Sequence, residues 1–543
     1  MLSTMMDFPL TVTSVLRYGS TVHGDRTVST AMENGFRDCT FRDLAGRAAQ
    51  LANGLRRVGV TGDQRVGTFM WNTQEHFESY FAVPCMGAVL HTLNIRLSDE
   101  QLVFIANDAE DEVVIVDVSL ADQLARVLAQ MPTVHTLVVV GDGDIDSLTA
   151  TGKDVLRYED LLGSETDEYA WPDLDERSAA AMCYTSGTTG HPKGVVYSHR
   201  STYLHSTLVL SANGIGLAEG DCLLPAIPMF HANGWGLAIA AVAAGSDVVL
   251  PNRFLQGSRL LEMIETRRVT MASGVPTIWN DVLRCLEQDP GRDISSLRGI
   301  FSGGSAVPES LMDVYQNKLG ITLTQLWGMT ETSPLVTIAR PPRNAEPQEA
   351  WAARNTAGRV QFGSEIRVVD EDGAVLPNDG QSVGEVQVRG PWITGSYFGD
   401  RDAEKFTDGW LGTGDVGKVD ARGYLTLTDR AKDVIKSGGE WISSVELENH
   451  IMGHPDVLEA AVVGVADERW EERPLAAVVL KEDATVTAPE LREFLRDKVV
   501  RWWLPERWTF VDEVPRTGVG KFDKKVIRAR YVDDGYDVVE CTD

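Results

Sequence analysis

The chain is poor in cysteine, in cationic residues and in uninterrupted apolar runs, and each shortage removes a class of protein. Its 543 residues include six cysteines, Cys39, Cys85, Cys183, Cys222, Cys285 and Cys541, none in a C-x-x-C pair or flanked by histidine at zinc-finger spacing. A disulfide framework is therefore not expected, and free thiols in a reducing compartment are. Lys and Arg number 50 against 79 Asp and Glu, a formal net charge of −29. A surface that negative repels phosphodiester backbones, so no nucleic-acid partner is expected. The most apolar long stretch, 223–250, is broken by Pro225, Pro228, His231, Asn233 and Asp247. A spanning helix needs ~20 nearly unbroken apolar residues, so no integral membrane segment is expected. The N-terminal run from Met1 to Asp7 has neither a basic n-region nor an apolar h-region, which sets the expectation of a cytoplasmic protein.

What is present is ordinary globular composition, 43% hydrophobic and 24% charged, without internal repeats. At ~100–200 residues per domain the length suggests roughly three folding units. From Thr40 to Val118 helical and strand patterns alternate. Leu44, Ala48, Leu51 and Leu55 recur at helical spacing over 41–58, and a second helix runs through Phe77, Tyr80 and Phe81. Stretches 65–70, 87–92, 112–117 and 137–140 read as strands, as do 246–250 and 298–302. Strands and helices in alternation predict parallel sheets covered on both faces. Around residue 360 the texture changes to short strands, 365–373 and 384–390, joined by Asp-Gly and Asn-Asp-Gly turns, which predicts antiparallel pairing or a small barrel. Beyond Asp429, strands at 459–465 and 475–480 and a helix over 488–499 predict a compact α+β module.

One Gly-rich segment carries chemistry. Thr185, Ser186, Gly187, Thr188, Thr189 and Gly190, followed by His191-Pro192-Lys193-Gly194, come directly after an apolar strand. Backbone N–H groups of such a loop form an anion nest and the hydroxyls add donors, as a polyphosphate cradle requires. A P-loop NTPase would need G-x-x-x-x-G-K-[ST]; here His191-Pro192 separates Gly190 from Lys193, and Gly194 replaces the Ser/Thr. The loop is of another type.

Four further segments follow in order: Trp327-Gly328-Met329-Thr330-Glu331-Thr332; Thr413-Gly414-Asp415; Asp429-Arg430 before Lys432 and Lys436-Ser437-Gly438-Gly439-Glu440; and Pro515-Arg-Thr-Gly-Val-Gly-Lys521. In this order they resemble the adenylate-forming superfamily of acyl-CoA synthetases, luciferases and adenylation domains, over a span from about Thr40 to Arg528, and most of all its bacterial medium- and long-chain fatty-acyl-CoA synthetases. The resemblance implies an α/β fold: a large N-terminal domain, 1–429, of two parallel-rich subdomains plus a small β-barrel-like one, and a small mobile α+β domain, 430–543. It implies an ATP-dependent ligase that converts a carboxylate to acyl-AMP and pyrophosphate and then, with coenzyme A, to acyl-CoA and AMP. Medium- or long-chain fatty acids are the expected substrates. A short thioether or aryl acid, or loading of a carrier protein, is the alternative.

The roles implied by the resemblance are these. Thr185 to Gly190 hold the β- and γ-phosphates and Lys193 ends the loop. Thr330 contacts the α-phosphate, and Glu331 helps bind Mg²⁺. Trp327 takes the place of a tyrosine that stacks on adenine, followed by Gly328 and Met329; whatever that phenol's hydroxyl contacts is in question here. Asp415 accepts the ribose hydroxyls and Arg430 touches ribose or phosphate. Lys521 bridges carboxylate and α-phosphate. Lys432 is the hinge about which the C-terminal domain turns, after which Lys436, Ser437, Gly438 and Gly439 line the pantetheine channel, with Trp441 beside it. His231 lies close to the acyl group and Trp235 gates the acyl tunnel; Val275, Thr277, Gly303 and Gly304 form its other walls, the glycines leaving room for substrate. No Arg or Lys occurs in the segments that carry these residues, 228–236, 274–277 and 302–306, which favours a monocarboxylic apolar acid. Relatives also pack across dimers through the segment matching Ser3 to Asp7, so a homodimer is possible.

Overall fold

The computed structural model describes residues 1, 3–185, 191–430, 433, 435–437, 440–467, 469–517 and 522–541, with only the backbone described at 429, 430, 436, 440 and 441. Among the described residues the strands form sheets of seven, fourteen and six strands. The first has Arg65–Phe69 at its centre, parallel to Val89–Thr92 and to Asp111–Asp117, as the continuous apolar runs require. Helix Phe41–Arg57 covers one face through Leu44, Ala48, Leu51 and Leu55, and Thr40 and Asp43 close a reciprocal capping box at its start. Helix Gln74–Cys85 is buried along its whole length. It carries Glu75 and Glu78 inward; Arg37 meets Glu75 at 2.7 Å and Arg47 meets Glu78 at 2.6 Å, so two carboxylates enter the interior paired.

The fourteen-stranded sheet joins two textures. Its parallel part includes Met271–Gly274, Gly299–Ser302 and Thr322–Gly328. The strand Thr322–Gly328 then pairs antiparallel with Leu335–Ile338, and the sheet continues through the expected antiparallel strands. These curl around a core of their own, with Trp327, Val336, Val388, Leu411 and Leu425 inside. The small third unit therefore grows out of the second through one shared strand.

The six-stranded sheet lies in the C-terminal part. Val457–Asp467 and Glu471–Leu480 form a long antiparallel pair, and Arg507–Phe510 adds in parallel. Helix Ala488–Leu495 packs on it around the buried Trp508 and stops four residues short of the expected end. All six cysteines are free. Among the described residues no helix is long and apolar enough to cross a membrane.

Candidate active site

A cleft of about 980 Å³ is lined by side chains from all three sheets and the segments beside them. On one side stands the Gly-rich hairpin. Strands Ala179–Tyr184 and Gly194–Ser198 pair up to Tyr184 opposite Gly194. The Thr185 amide donates to the Lys193 carbonyl (2.9 Å), and the Lys193 amide donates to Thr185 Oγ1 (3.1 Å). The loop is thus pinned at both ends, while Ser186, Gly187, Thr188, Thr189 and Gly190 lie outside the described residues. Lys193 is not left facing the cleft alone: its ammonium pairs with Asp402 and sits 5.3 Å from the Tyr397 ring centre. Burial lowers its pKa.

Next to the hairpin, Trp327, Gly328 and Met329 end a strand, and Thr330 and Glu331 open a buried 3₁₀ turn. Gly328 admits no side chain, because a Cβ there would lie 1.9 Å from the Pro334 carbonyl oxygen. The Tyr197 hydroxyl donates to the Thr330 carbonyl at 2.7 Å, and the Tyr397 hydroxyl donates to Glu331 Oε1 at 2.6 Å. Burial, and next the Glu331 charge, push the Tyr397 phenol well above its ordinary pKa, so it remains a donor. The indole N–H of Trp327 donates to Asp415 Oδ2 at 2.8 Å. The doubt over the missing phenol thus has a local answer, since the indole supplies a donor of its own. Asp415 lies opposite Arg430 across the strand pair, with its amide on Thr413 Oγ1 at 3.1 Å and that hydroxyl on the Val386 carbonyl at 2.7 Å.

The third wall carries His231 and Trp235. Ala232, Asn233, Gly234, Trp235 and Gly236 all have positive φ, between +37° and +67°. Such a left-handed turn costs roughly 1–2 kcal/mol per L-residue. It is held by Thr92, whose hydroxyl donates to Asn233 Oδ1 at 2.8 Å, and by Tyr80, whose hydroxyl donates to the Met229 carbonyl. The turn directs Trp235 onto Gly303: a Cβ at Gly303 would sit 3.3 Å from the indole and 2.9 Å from the Leu326 carbonyl oxygen. Gly303 is therefore required by the close approach of protein groups, rather than only as space for a substrate. Gly304 and Thr277 also line the cleft. Val275 is the N-cap of helix Pro276–Gln288 and is not among the lining residues. His205, on helix His199–Leu210, stands behind the turn and accepts from the Leu335 amide through Nε2 at 3.3 Å.

The C-terminal part closes the cleft with Arg516, Thr517, Phe522 and Lys524. Lys521 lies outside the described residues, as do Lys432, Gly438 and Gly439. The backbones of Lys436 and Trp441 are paired in the ladder of strands Ile435–Ser437 and Glu440–Ile442. Ser437 is buried off the cleft, its hydroxyl accepting from Arg473 at 3.2 Å. The side chains that sequence reasoning missed, Tyr397, Asp402, Tyr197 and His205, come from stretches without a recognised motif.

Among the described residues no three His, Cys, Asp or Glu converge as a metal site. Glu331 alone fits what Mg²⁺ asks of a protein when substrate phosphates and water supply most of its oxygen ligands.

The family described as AMP-binding enzyme matches residues 19–398, and its C-terminal domain matches 446–521. The chain is 41% identical to the 3-methylmercaptopropionyl-CoA ligase of Ruegeria pomeroyi, covering 98% of this chain and 99% of that protein. It is 39% identical to the medium-chain-fatty-acid–CoA ligase of Ectopseudomonas oleovorans, covering 98% of each. The long-chain-fatty-acid–CoA ligase of Thermus thermophilus is 41% identical, covering 97% of each. Among solved structures, the anthranilate CoA ligase AuaEII with anthranoyl-AMP superposes with a TM-score of 0.87 at 26% identity, covering 97% of this chain and 99% of that one. With the ends of the Gly-rich hairpin, the Trp327–Glu331 stretch and Asp415 lining one cleft, and relatives matched from end to end, the chain belongs to the AMP-binding enzyme family, within the adenylate-forming superfamily and close to its fatty-acyl-CoA synthetases, and is an AMP-forming acid–thiol ligase.

Proposed function

We propose that this acyl-CoA ligase acts on monocarboxylic acids with an uncharged tail, medium- or long-chain fatty acids first. The observation that carries this is the acyl wall: the lining residues on 228–236, 274–277 and 302–306, Trp235, Thr277 and Ala306 among them, include no Arg or Lys. A second carboxylate would be buried there without a counter-charge. A short thioether acid is the second reading, favoured by the contact of Trp235 with Gly303, which shortens the space available to a tail, and by the substrate in the name of the Ruegeria relative.

In the first step a carboxylate oxygen attacks the α-phosphorus of ATP and the bond to pyrophosphate breaks. Thr185 to Gly190 and Lys193 bind the outer phosphates, so Lys193 exchanges Asp402 for a phosphate. Thr330 and Lys521 stabilise charge at the α-phosphate, and Asp415, Arg430 and Trp327 hold the nucleoside. Mg²⁺ at Glu331 would neutralise charge on the departing pyrophosphate. In the second step the C-terminal domain, 430–543, turns about Lys432 on the N-terminal domain, 1–429. Lys436, Ser437, Gly438, Gly439 and Trp441 then face the pantetheine arm. The CoA sulfur attacks the acyl carbon beside His231, AMP leaves, and the thiol proton passes to solvent.

The test is pyrophosphate release over straight-chain acids of increasing length, thioether, aryl and dicarboxylic acids, with and without CoA. The expected result is highest kcat/KM on fatty acids, and acyl-CoA only when CoA is present. Preference for a dicarboxylic acid would overturn the substrate reading, and acyl-AMP that never reaches CoA would overturn the acceptor.

A further inference from the structure

The Trp327–Asp415 hydrogen bond joins two strands, 88 residues apart in sequence, in the wall of the cleft. Trp327 is 8% exposed and packs among Val336, Val388, Leu411 and Leu425, so its N–H is a donor with little freedom to move. The strand behind it is fixed by a bulge between Trp327 and Gly328, where only glycine fits. Asp415, by contrast, follows Gly414 at φ +72° and is partly exposed. The indole N–H, held by that packing, fixes one oxygen of the carboxylate and so restricts its rotation about χ2. Each carboxylate oxygen has two lone pairs, so Oδ2 can keep the indole N–H and still accept from a ligand.

We infer that Trp327 is a positioning residue that sets the enzyme's selectivity for a ribose with both hydroxyls, by fixing the plane of the Asp415 carboxylate. This rests on the proposed reading of Asp415 as the ribose ligand. A residue that only stacked on adenine would bind every adenosine nucleotide more tightly by the same factor. One that orients the carboxylate favours ATP over 2′-deoxyATP and 3′-deoxyATP in particular.

Two substitutions at Trp327 separate the roles. Phenylalanine keeps a ring and lacks the donor. Histidine has less ring area, but its Nε2 is two bonds from Cγ, as indole Nε1 is, and can donate from the same place. The readout is the ratio of kcat/KM in acid-dependent pyrophosphate release for ATP over each deoxy analogue. It is paired with equilibrium binding of AMP and of 2′- and 3′-deoxyAMP, which does not require turnover. Trp327→Phe is expected to lower the ratio about tenfold, the order of effect of losing a charge-assisted hydrogen bond. Trp327→His is expected to bind all nucleotides more weakly and keep the ratio within about twofold. Equal loss for ATP and the deoxy analogues in Trp327→Phe, with a collapsed ratio in Asp415→Asn, would overturn the role of Trp327 and leave Asp415 as the ribose ligand. An unchanged ratio in Asp415→Asn would overturn the ribose reading itself. Should Trp327→Phe not fold, the histidine variant still decides: a collapsed ratio there, with a retained donor, refutes the inference.

Discussion

Acidification should unfold this protein through histidines that are buried without charge. His205 is 2% exposed, and burial pushes it from 6.5 down to about 4. Between those values the unfolded chain binds a proton that the folded chain does not, so stability rises with pH and is lost as pH falls. At ~1.36 kcal/mol per pKa unit the full penalty, reached below pH 4, is about 3 kcal/mol, of which about 2 kcal/mol is already lost between pH 7 and pH 5. His76 and His199 are held at about 4 by the same burial. The three together therefore cost about 6 kcal/mol by pH 5, against the ~5–15 kcal/mol that holds a typical domain folded. The assay is urea unfolding followed by tryptophan fluorescence at pH 7, 6, 5.5 and 5 and constant ionic strength. His205→Gln keeps an acceptor for the Leu335 amide but cannot titrate, so its stability should fall about 2 kcal/mol less than wild type over that range. Parallel slopes for the two proteins would refute the reasoning.

Two further outcomes follow from the cleft and one from the proposed role of Lys521. Gly303→Ala places a methyl 2.9 Å from the Leu326 carbonyl oxygen. It should cost ~1–3 kcal/mol and shift acid preference toward shorter tails, read by thermal unfolding and pyrophosphate release; an unchanged melting temperature would contradict the close approach. Tyr397→Phe removes a donor from buried Glu331. It should raise the Mg²⁺ needed for half-maximal pyrophosphate release severalfold and weaken Mn²⁺ binding with a non-hydrolysable ATP analogue, without slowing thiolysis of supplied acyl-AMP. Unaltered metal dependence would remove Tyr397 from that role. Lys521→Ala should nearly abolish acyl-AMP formation and spare its thiolysis, with equal loss of both counting against the assignment.

Much of the scaffold is legible in the sequence because it is local. Helix Phe41–Arg57 shows its apolar face at every turn, and the parallel strands show unbroken apolar runs. Helix Gln74–Cys85 shows only Phe77, Tyr80 and Phe81. The burial of Glu75 and Glu78 depends on arginines from other elements, which no periodicity encodes. The same limit holds in the cleft. Trp327 and Asp415 are each marked by a motif, yet the bond between them is set by strand pairing far along the chain. Tyr397 and Asp402 carry no motif, and only folding brings them to Glu331 and Lys193. Ser437 shows the same limit: nothing in its glycine-rich surroundings reveals that its hydroxyl accepts from buried Arg473.

The strand Thr322–Gly328 bears on how the enzyme can diversify. Leu326 lines the cleft and its carbonyl abuts Gly303, while the next residue is the indole beside Asp415. Adjacent residues of one strand point to opposite faces and share one backbone. On the proposed reading of the cleft, changes confined to Thr277 would retailor the choice of acid alone. A change at Leu326 would move the proposed nucleoside platform as well, so that acid range and ATP affinity would evolve together at that position.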